Sequence, residues 1–109
     1  MVKKKHNVAL ALRADIMLLS HTEFLAHVSP AAARKLVQDF KIVKCKLAAN
    51  PMQFPFADDL DAKGIPPETY RKCVFHGRYK AIFLVEGSNV FIDAIIDCRQ
   101  ANRSLYNPD

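Results

Sequence analysis

The sequence has few of the residues that mark several common kinds of site. Only three of its 109 residues are glycine, and none belongs to a glycine-rich phosphate loop. Its three cysteines, Cys45, Cys73 and Cys98, lie far apart and form no CxxC pair, so they lack the spacing of a structural zinc site. We interpret them as reduced, mostly buried thiols, and we expect no metal and no cofactor.

Long apolar runs are also missing. No stretch approaches the roughly 20 apolar residues that a membrane-spanning helix needs. Arg13 and Asp15 interrupt the apolar run that an export signal would require after the basic start. We therefore expect a cytoplasmic protein with no membrane partner. Half of the residues are apolar and a quarter are charged, and a chain of 109 residues fits a single domain, 1–109.

Positive charge is present in excess and is unevenly spread. The net charge of +5 divides into +6 over residues 1–50, −3 over residues 51–69 and +2 over residues 70–109. A basic first half indicates a polyanion or an acidic protein as partner. A solvated surface that is merely basic accounts for the same numbers, and charge alone does not separate the two interpretations.

The first half has the periodicity of two helices. Residues 7–11 form a first strand or lead into a helix, and from Leu12 apolar residues recur at steps of three and four. His21 lies inside that stripe, and we interpret it as a packing residue rather than a ligand. Ser29-Pro30 begins a second helix and Asn50-Pro51 ends it, so the two helices should form an antiparallel hairpin. The predicted apolar stripe of the first helix is Ala14, Met17, Leu18, His21, Phe24, Leu25 and Val28. That of the second helix is Ala33, Leu36, Val37, Phe40, Val43 and Leu47.

The second half changes to the alternation of β-strands. After a proline-rich connector, residues 51–69, we predict strands over 70–75, 79–85 and 90–98, joined by tight turns into an antiparallel meander. Strict alternation puts Tyr79, Ala81, Phe83 and Val85 on one face of the middle strand. In the last strand it puts Val90, Ile92, Ala94, Ile96 and Cys98 on one apolar face, with Asp97 and Arg99 on the other. One sheet face should pack on the helices while the other stays more polar.

Candidate chemistry concentrates at one end of this meander. Antiparallel pairing brings the start of the middle strand near the end of the last one, so we predict that Lys80 lies beside Arg99. Guanidinium and ammonium groups can hold a phosphate, and an imidazole or phenol can move the protons of a ribose 2′-OH. The alternative is a solvated edge with ordinary positive charges. The neighbouring polar residues are Arg71, Lys72, His76 and Arg78, with Arg103 and Tyr106 in the tail.

Several segments together resemble the RelE/ParE toxin superfamily. Tyr70–Gly87 is similar to its second and third strands, Val90–Gln100 to its closing strand, and Asn102–Tyr106 to its short tail. The resemblance implies an α+β fold with an N-terminal strand, an antiparallel two-helix hairpin and a three-stranded antiparallel meander that completes a twisted sheet. It also implies a toxin of a bacterial type II toxin–antitoxin system, a plasmid stabilisation protein with a cognate acidic antitoxin as partner.

The resemblance implies two different targets. RelE-like members cleave messenger RNA on the ribosome without a metal, as mRNA interferases. In that case Lys80 and Arg99 would stabilise the phosphate, Tyr106 would accept a proton, and His76 would act as an acid. RNA would then be bound by Arg71, Lys72, Arg78 and Arg103. ParE-like members share the fold but inhibit DNA gyrase, and a third alternative is a member that has lost toxicity and only binds or has a structural role.

Overall fold

The computed structural model describes residues 5–57 and 64–99. They form an α+β fold, and each predicted helix and strand is present within a few residues of its predicted ends, which confirms the predicted fold class. The elements are β1 (Asn7–Leu10), α1 (Leu12–Val28), α2 (Pro30–Ala49), β2 (Arg71–Phe75), β3 (Tyr79–Glu86) and β4 (Asn89–Asp97). Arg103 and Tyr106 lie outside the described residues. Over the described ranges, neither helix combines the length and the apolarity needed to cross a bilayer.

The four strands form one sheet in the order β1-β4-β3-β2. The predicted meander is confirmed, because β3 pairs antiparallel with both β2 and β4. β1 is added beside β4 in the parallel direction, with Val8 opposite Val90, so the sheet is mixed. The chain can leave β1 and return to the same sheet because α1 and α2 form the crossover between β1 and the meander.

The helical hairpin follows from the residues at its tight junction. Ser29 is extended and its Oγ accepts a hydrogen bond from the Ala32 backbone N–H at 3.2 Å, while Pro30 occupies the first turn of α2. The predicted apolar face of α2 is buried except for Val37. In α1 the prediction was wrong at the C-terminal end, since Phe24 and Val28 are 57% and 72% exposed. Phe24 instead lies beside Arg78, the residue that precedes β3 at the end of the sheet.

A β-bulge in β4 overturns the predicted alternation of that strand. Ile82 pairs with Ala94 but the next residue, Phe83, pairs with Ile92, so Asp93 is the extra residue. From this point on, the side chains of β4 alternate between the two sheet faces in the opposite phase. Val90, Ile92 and Ile95 pack in the main core against the helices, whereas Ala94 and Ile96 pack in a second cluster with Ile82. The predicted face of β3 is confirmed, because Tyr79, Ala81, Phe83 and Val85 all belong to the main core.

The sheet face away from the helices is less open than predicted. Ala57 from the connector covers Ile82, Ala94 and Ile96, and Tyr70 packs against the same cluster. Phe54 turns the other way and meets the ring of Phe83 edge-on in the main core, with 6.0 Å between ring centroids. The prediction for the cysteines holds only for Cys73, since Cys45 and Cys98 are exposed.

We predict that Leu36→Ala lowers the free energy of unfolding by about 2–5 kcal/mol, because Leu36 is fully buried between α2 and the sheet. The matched control is Ile42→Ala on the same helix, where the side chain is 51% exposed. That change should cost about 0.5 kcal/mol or less. Urea unfolding of both variants provides the measurement, and equal losses would contradict the packing described above.

Candidate functional site

A cleft of about 620 Å³ opens between α1 and the end of the sheet where β4 stops. Its lining combines three residues of one helix face with three charged residues from the ends of β3 and β4. We call this space the α1 cleft, and it is lined by Ser20, His21, Phe24, Arg78, Asp97 and Arg99. Two guanidinium groups and one carboxylate therefore share it.

Asp97 holds both arginines in the cleft. Arg78 Nε and Nη2 donate to Asp97 Oδ2 at 3.1 and 2.9 Å. The backbone N–H of Arg99 donates to Asp97 Oδ1 at 2.9 Å, and Arg99 Nε lies 3.7 Å from the same oxygen. Only 6% of the Asp97 side chain is exposed, against 66% for Arg99. Asp97 thus fixes the Arg78 guanidinium and the Arg99 backbone, while the Arg99 side chain stays mostly exposed to solvent.

The charges of this group are stabilised in their ionised forms. Burial alone would raise the pKa of the Asp97 carboxyl, but the hydrogen bonds from the Arg78 side chain and from the Arg99 backbone outweigh burial and hold that pKa below its usual value. The hydrogen bond to Asp97 likewise raises the pKa of Arg78. The Asp97 carboxylate and the Arg78 guanidinium consequently stay charged across the physiological range.

Two aromatic side chains, His21 and Phe24, line the cleft, and the buried Tyr79 ring contacts the first of them. Tyr79 is fully buried, and the His21 ring lies against it with 4.8 Å between centroids. His21 Nε2 lies 2.9 Å from the Ile95 carbonyl oxygen and donates to it. The Arg78 guanidinium carbon is 5.2 Å from the centroid of Tyr79 and 5.9 Å from that of Phe24. The arginine therefore lies between a buried ring and an exposed one, a cation–π arrangement.

The Tyr79 hydroxyl is the one unsatisfied group in this region. It is buried and has no hydrogen-bond partner within residues 5–57 and 64–99. Burial raises the pKa of Tyr79, and its charged neighbours are Arg78, Asp97 and Arg99, the three charged residues of the cleft. Buried hydroxyls nearly always have a partner, so this hydroxyl is an exception, and it does not line the α1 cleft.

The structure brings together only part of the predicted site. Arg78 and Arg99 share the α1 cleft, but Lys80 does not line it. Lys80 pairs with Ile96 in β4 and lies on the same face as Ile82, because side chains alternate along β3. Its predicted position beside Arg99 is therefore corrected. The prediction was based on which strand ends pair, and it left out the sheet face on which each side chain lies.

His76 lies outside the cleft in a different polar group. Its Nδ1 is 2.8 Å from Asp39 Oδ2, and Lys35 Nζ donates to the other oxygen of Asp39 at 2.8 Å. The hydrogen bond from Lys35 lowers the pKa of Asp39 most, and the hydrogen bond with His76 lowers it further. His76 has a φ of 57°, an uncommon backbone conformation for a residue other than glycine. The contact joins the β2–β3 turn to α2.

Arg71 and Lys72 lie on the edge strand β2, and Arg71 has a structural role there. Its Nη1 donates to the Phe54 carbonyl at 2.6 Å, and its guanidinium carbon is 4.0 Å from the Phe56 ring centroid. These contacts fasten the connector to the sheet edge. Lys72 is half-buried, and its backbone N–H donates to the Pro55 carbonyl at 3.0 Å. Neither residue lines the α1 cleft.

Sequence reasoning missed five residues of this region, namely Ser20, His21, Phe24, Tyr79 and Asp97. The helical period explained His21 and Phe24 as core, and the strand period did the same for Tyr79. The available signal was the opposite charge of Arg78 and Asp97 at the paired ends of two neighbouring strands. Over the described part of the chain, no three His, Cys, Asp or Glu residues gather closely enough to hold a metal ion.

We predict that Asp97→Asn lowers the free energy of unfolding at pH 7 by about 1–3 kcal/mol, because the change removes a charged hydrogen-bond partner of two arginines. The folded-state pKa of Asp97 is depressed, so its stabilising effect is present above its unfolded pKa of roughly 3.9 and is lost as pH falls through the folded pKa. The difference in the free energy of unfolding between wild type and Asp97→Asn should therefore narrow from pH 5 downwards.

Urea unfolding at several pH values measures that gap. Glu86→Gln, at an exposed position at the far end of β3, is the control and should leave stability unchanged within about 0.5 kcal/mol. A gap for Asp97→Asn that stays constant down to pH 2 would contradict a role for the ionised carboxylate.

Comparison with known proteins gives a match in structure but not in sequence. No family model and no curated protein matches the chain. A solved structure described as the chromosomal ParDE toxin–antitoxin system from P. aeruginosa contains a chain that is similar, with a TM-score of 0.65 at 18% identity. The match covers 84% of this chain and 95% of that one. The chain thus shares the fold of a chain in that structure, in agreement with the fold that the sequence resemblance implies.

Proposed function

We propose that this chain is the toxin of a type II toxin–antitoxin pair. The observation that carries the proposal is the shared fold with a chain of a ParDE system, which extends over 95% of that chain. The segments that resemble the superfamily coincide with β2, β3 and β4, the elements that form the meander. As the resemblance implies, the toxin would act in the cytoplasm and would be held inactive by a cognate acidic antitoxin.

Two surface features support such a protein partner. The first is the positive charge of residues 1–50. The second is the outer face of α1, where Leu12, Ile16 and Leu19 are 74%, 57% and 58% exposed. A helix with apolar residues on its outer face usually packs against something, and an amphipathic helix with acidic flanks fits both features. A small acidic protein encoded next to this chain should co-purify with it.

We further propose that the toxin acts on messenger RNA at the ribosome. The α1 cleft supports this target, since Arg78 and Arg99 are fixed by Asp97 and an imidazole, His21, lies next to them. Guanidinium groups in such an arrangement can hold a phosphodiester and stabilise the charge that develops on its oxygens. Lys80, His76 and Tyr106 remain predicted participants, with Arg71, Lys72 and Arg103 as predicted contacts to RNA. No metal or cofactor is invoked.

A second candidate is inhibition of DNA gyrase without RNA cleavage. It is favoured by the description of the structural neighbour as a ParDE system, because the resemblance associates ParE-like members with gyrase. The separation of Lys80 from the α1 cleft points the same way. A folded member that has lost toxicity is the remaining alternative.

Induced expression in a bacterium separates these candidates. We predict growth arrest, new 5′ ends within translated messages and no DNA-damage response, since cleavage leaves DNA intact. Arg99→Ala should reduce cleavage at least about tenfold by removing a phosphate-binding charge, and Tyr106→Phe should reduce it less. The matched control is Arg34→Ala on α2, an exposed arginine outside the cleft that should keep full activity.

Other outcomes decide against the proposal in distinct ways. A DNA-damage response with intact messages, together with inhibited supercoiling in vitro, would replace RNA by gyrase as the target. Full cleavage by the Arg99→Ala, Tyr106→Phe double variant would remove the proposed site. Normal growth with folded protein present would leave no toxin function to explain.

A further inference from the structure

The α1 cleft contains an exposed aromatic ring that phosphate chemistry alone does not require. Phe24 is 57% exposed, although it lines the same cleft as the half-buried His21. Its ring lies 5.9 Å from the Arg78 guanidinium carbon, so the ring and the cation form one continuous wall. An exposed aromatic side chain next to arginines is the usual platform on which proteins stack an unpaired base.

We propose that the α1 cleft binds a single nucleotide, with its base stacked on Phe24 and its phosphate on Arg99 and Arg78. This inference rests on the proposed action on RNA and adds the residue that would contact the base. It assigns a binding role to Phe24, which neither the sequence pattern nor the resemblance indicates.

The phosphate position follows from the two arginines. Arg99 is 66% exposed, and within the described residues its side chain has only the 3.7 Å ion pair with Asp97. Asp97 Oδ2 accepts from Arg78 and Oδ1 from the Arg99 backbone, so both carboxylate oxygens are already occupied. The three charges sum to one positive charge that faces the opening, and a phosphodiester carries the matching negative charge.

The Ser20 hydroxyl supplies a further polar group in the cleft. Ser20 is exposed and lines the cleft on the same helix as Phe24, so its hydroxyl can hydrogen-bond to a ribose or phosphate oxygen of the nucleotide. The Tyr79 hydroxyl is buried and does not line the cleft, so it forms no part of the ligand site.

The dimensions suit one nucleotide. The cleft holds about 620 Å³, in the middle of the range of roughly 300–1,000 Å³ that is typical of small-ligand sites. An acidic side chain of a protein would use the arginines but would leave the exposed ring without a stacking partner. The combination of ring and cations therefore favours a nucleotide over a carboxylate.

Titration of the full-length, ¹⁵N-labelled protein tests this assignment. AMP, ribose 5-phosphate or inorganic phosphate is added, and the amide chemical shifts of the protein are recorded during each titration. We expect AMP to shift the amides around Phe24 and Arg99 and to bind at least about fivefold more tightly than ribose 5-phosphate, which lacks a base to stack. Equal affinities for AMP and ribose 5-phosphate, or AMP shifts confined to other parts of the protein, would overturn the proposal.

Variants assign the two halves of the ligand to their contacts. Phe24→Leu keeps an apolar side chain but removes the flat ring, so it should abolish the preference for AMP over ribose 5-phosphate. Arg99→Gln should weaken both of these probes at least about fivefold. The matched control is Phe91→Leu, which changes a 40% exposed phenylalanine of β4 outside the cleft and should bind AMP like wild type.

Two further results separate this inference from the proposed function. AMP binding with the expected variant pattern in a chain that cleaves no message would support the cleft and reject the nuclease. RNA cleavage that Phe24→Leu leaves unchanged, with AMP bound elsewhere, would support the nuclease and reject the cleft. Displacement of AMP by a short polyglutamate peptide at similar concentrations would show a carboxylate site and would also overturn the assignment.

Discussion

One extra residue in β4 determines the arrangement of the candidate site. Strict alternation from Val90 onwards would turn Asp97 away from the helices. The bulge at Asp93 reverses the phase, so that Ile95 enters the main core and Asp97 follows on the same face. Only from that face can the Asp97 carboxylate meet Arg78 at the edge of α1. The ion pairs, the position of Arg99 and the α1 cleft itself all depend on this change of register.

Most of the fold could be predicted from the sequence because the two periods are clear. Ser29-Pro30 and Asn50-Pro51 delimit α2, and the alternation from Tyr79 onward identifies β3. The bulge could not be predicted, since Ala94, Ile95 and Ile96 are all apolar and fit the core in either phase. Parallel pairing of β1 was also beyond the local pattern, because four residues carry no information about direction. The exposure of Phe24 and Val28 could not be predicted either, because both residues fit the apolar period of the helix.

The two arginines of the candidate site were predicted from the sequence, whereas the residues that surround them were not. Arg78 and Arg99 were identified as cations near the same sheet end, whereas Asp97 was assigned with Arg99 to the polar face and was given no role. A buried carboxylate that holds two arginines reduces their net charge but fixes their direction, which suits recognition of a shaped ligand better than attraction of any polyanion. His21 packs against the core residue Tyr79 and also lines the cleft, and a periodic pattern reveals only the first role.

Methyl NOE spectroscopy on isoleucine-labelled protein tests the change of register most directly. We predict that the Ile95 methyl groups show contacts to the main core between the helices and the sheet. The Ile96 methyl groups should show contacts to Ile82 on the opposite face. The reverse assignment, with Ile96 against the helices and Ile95 beside Ile82, would mean that β4 has no bulge. Asp97 would then lie on the wrong face to hold Arg78, and the α1 cleft as described would not exist.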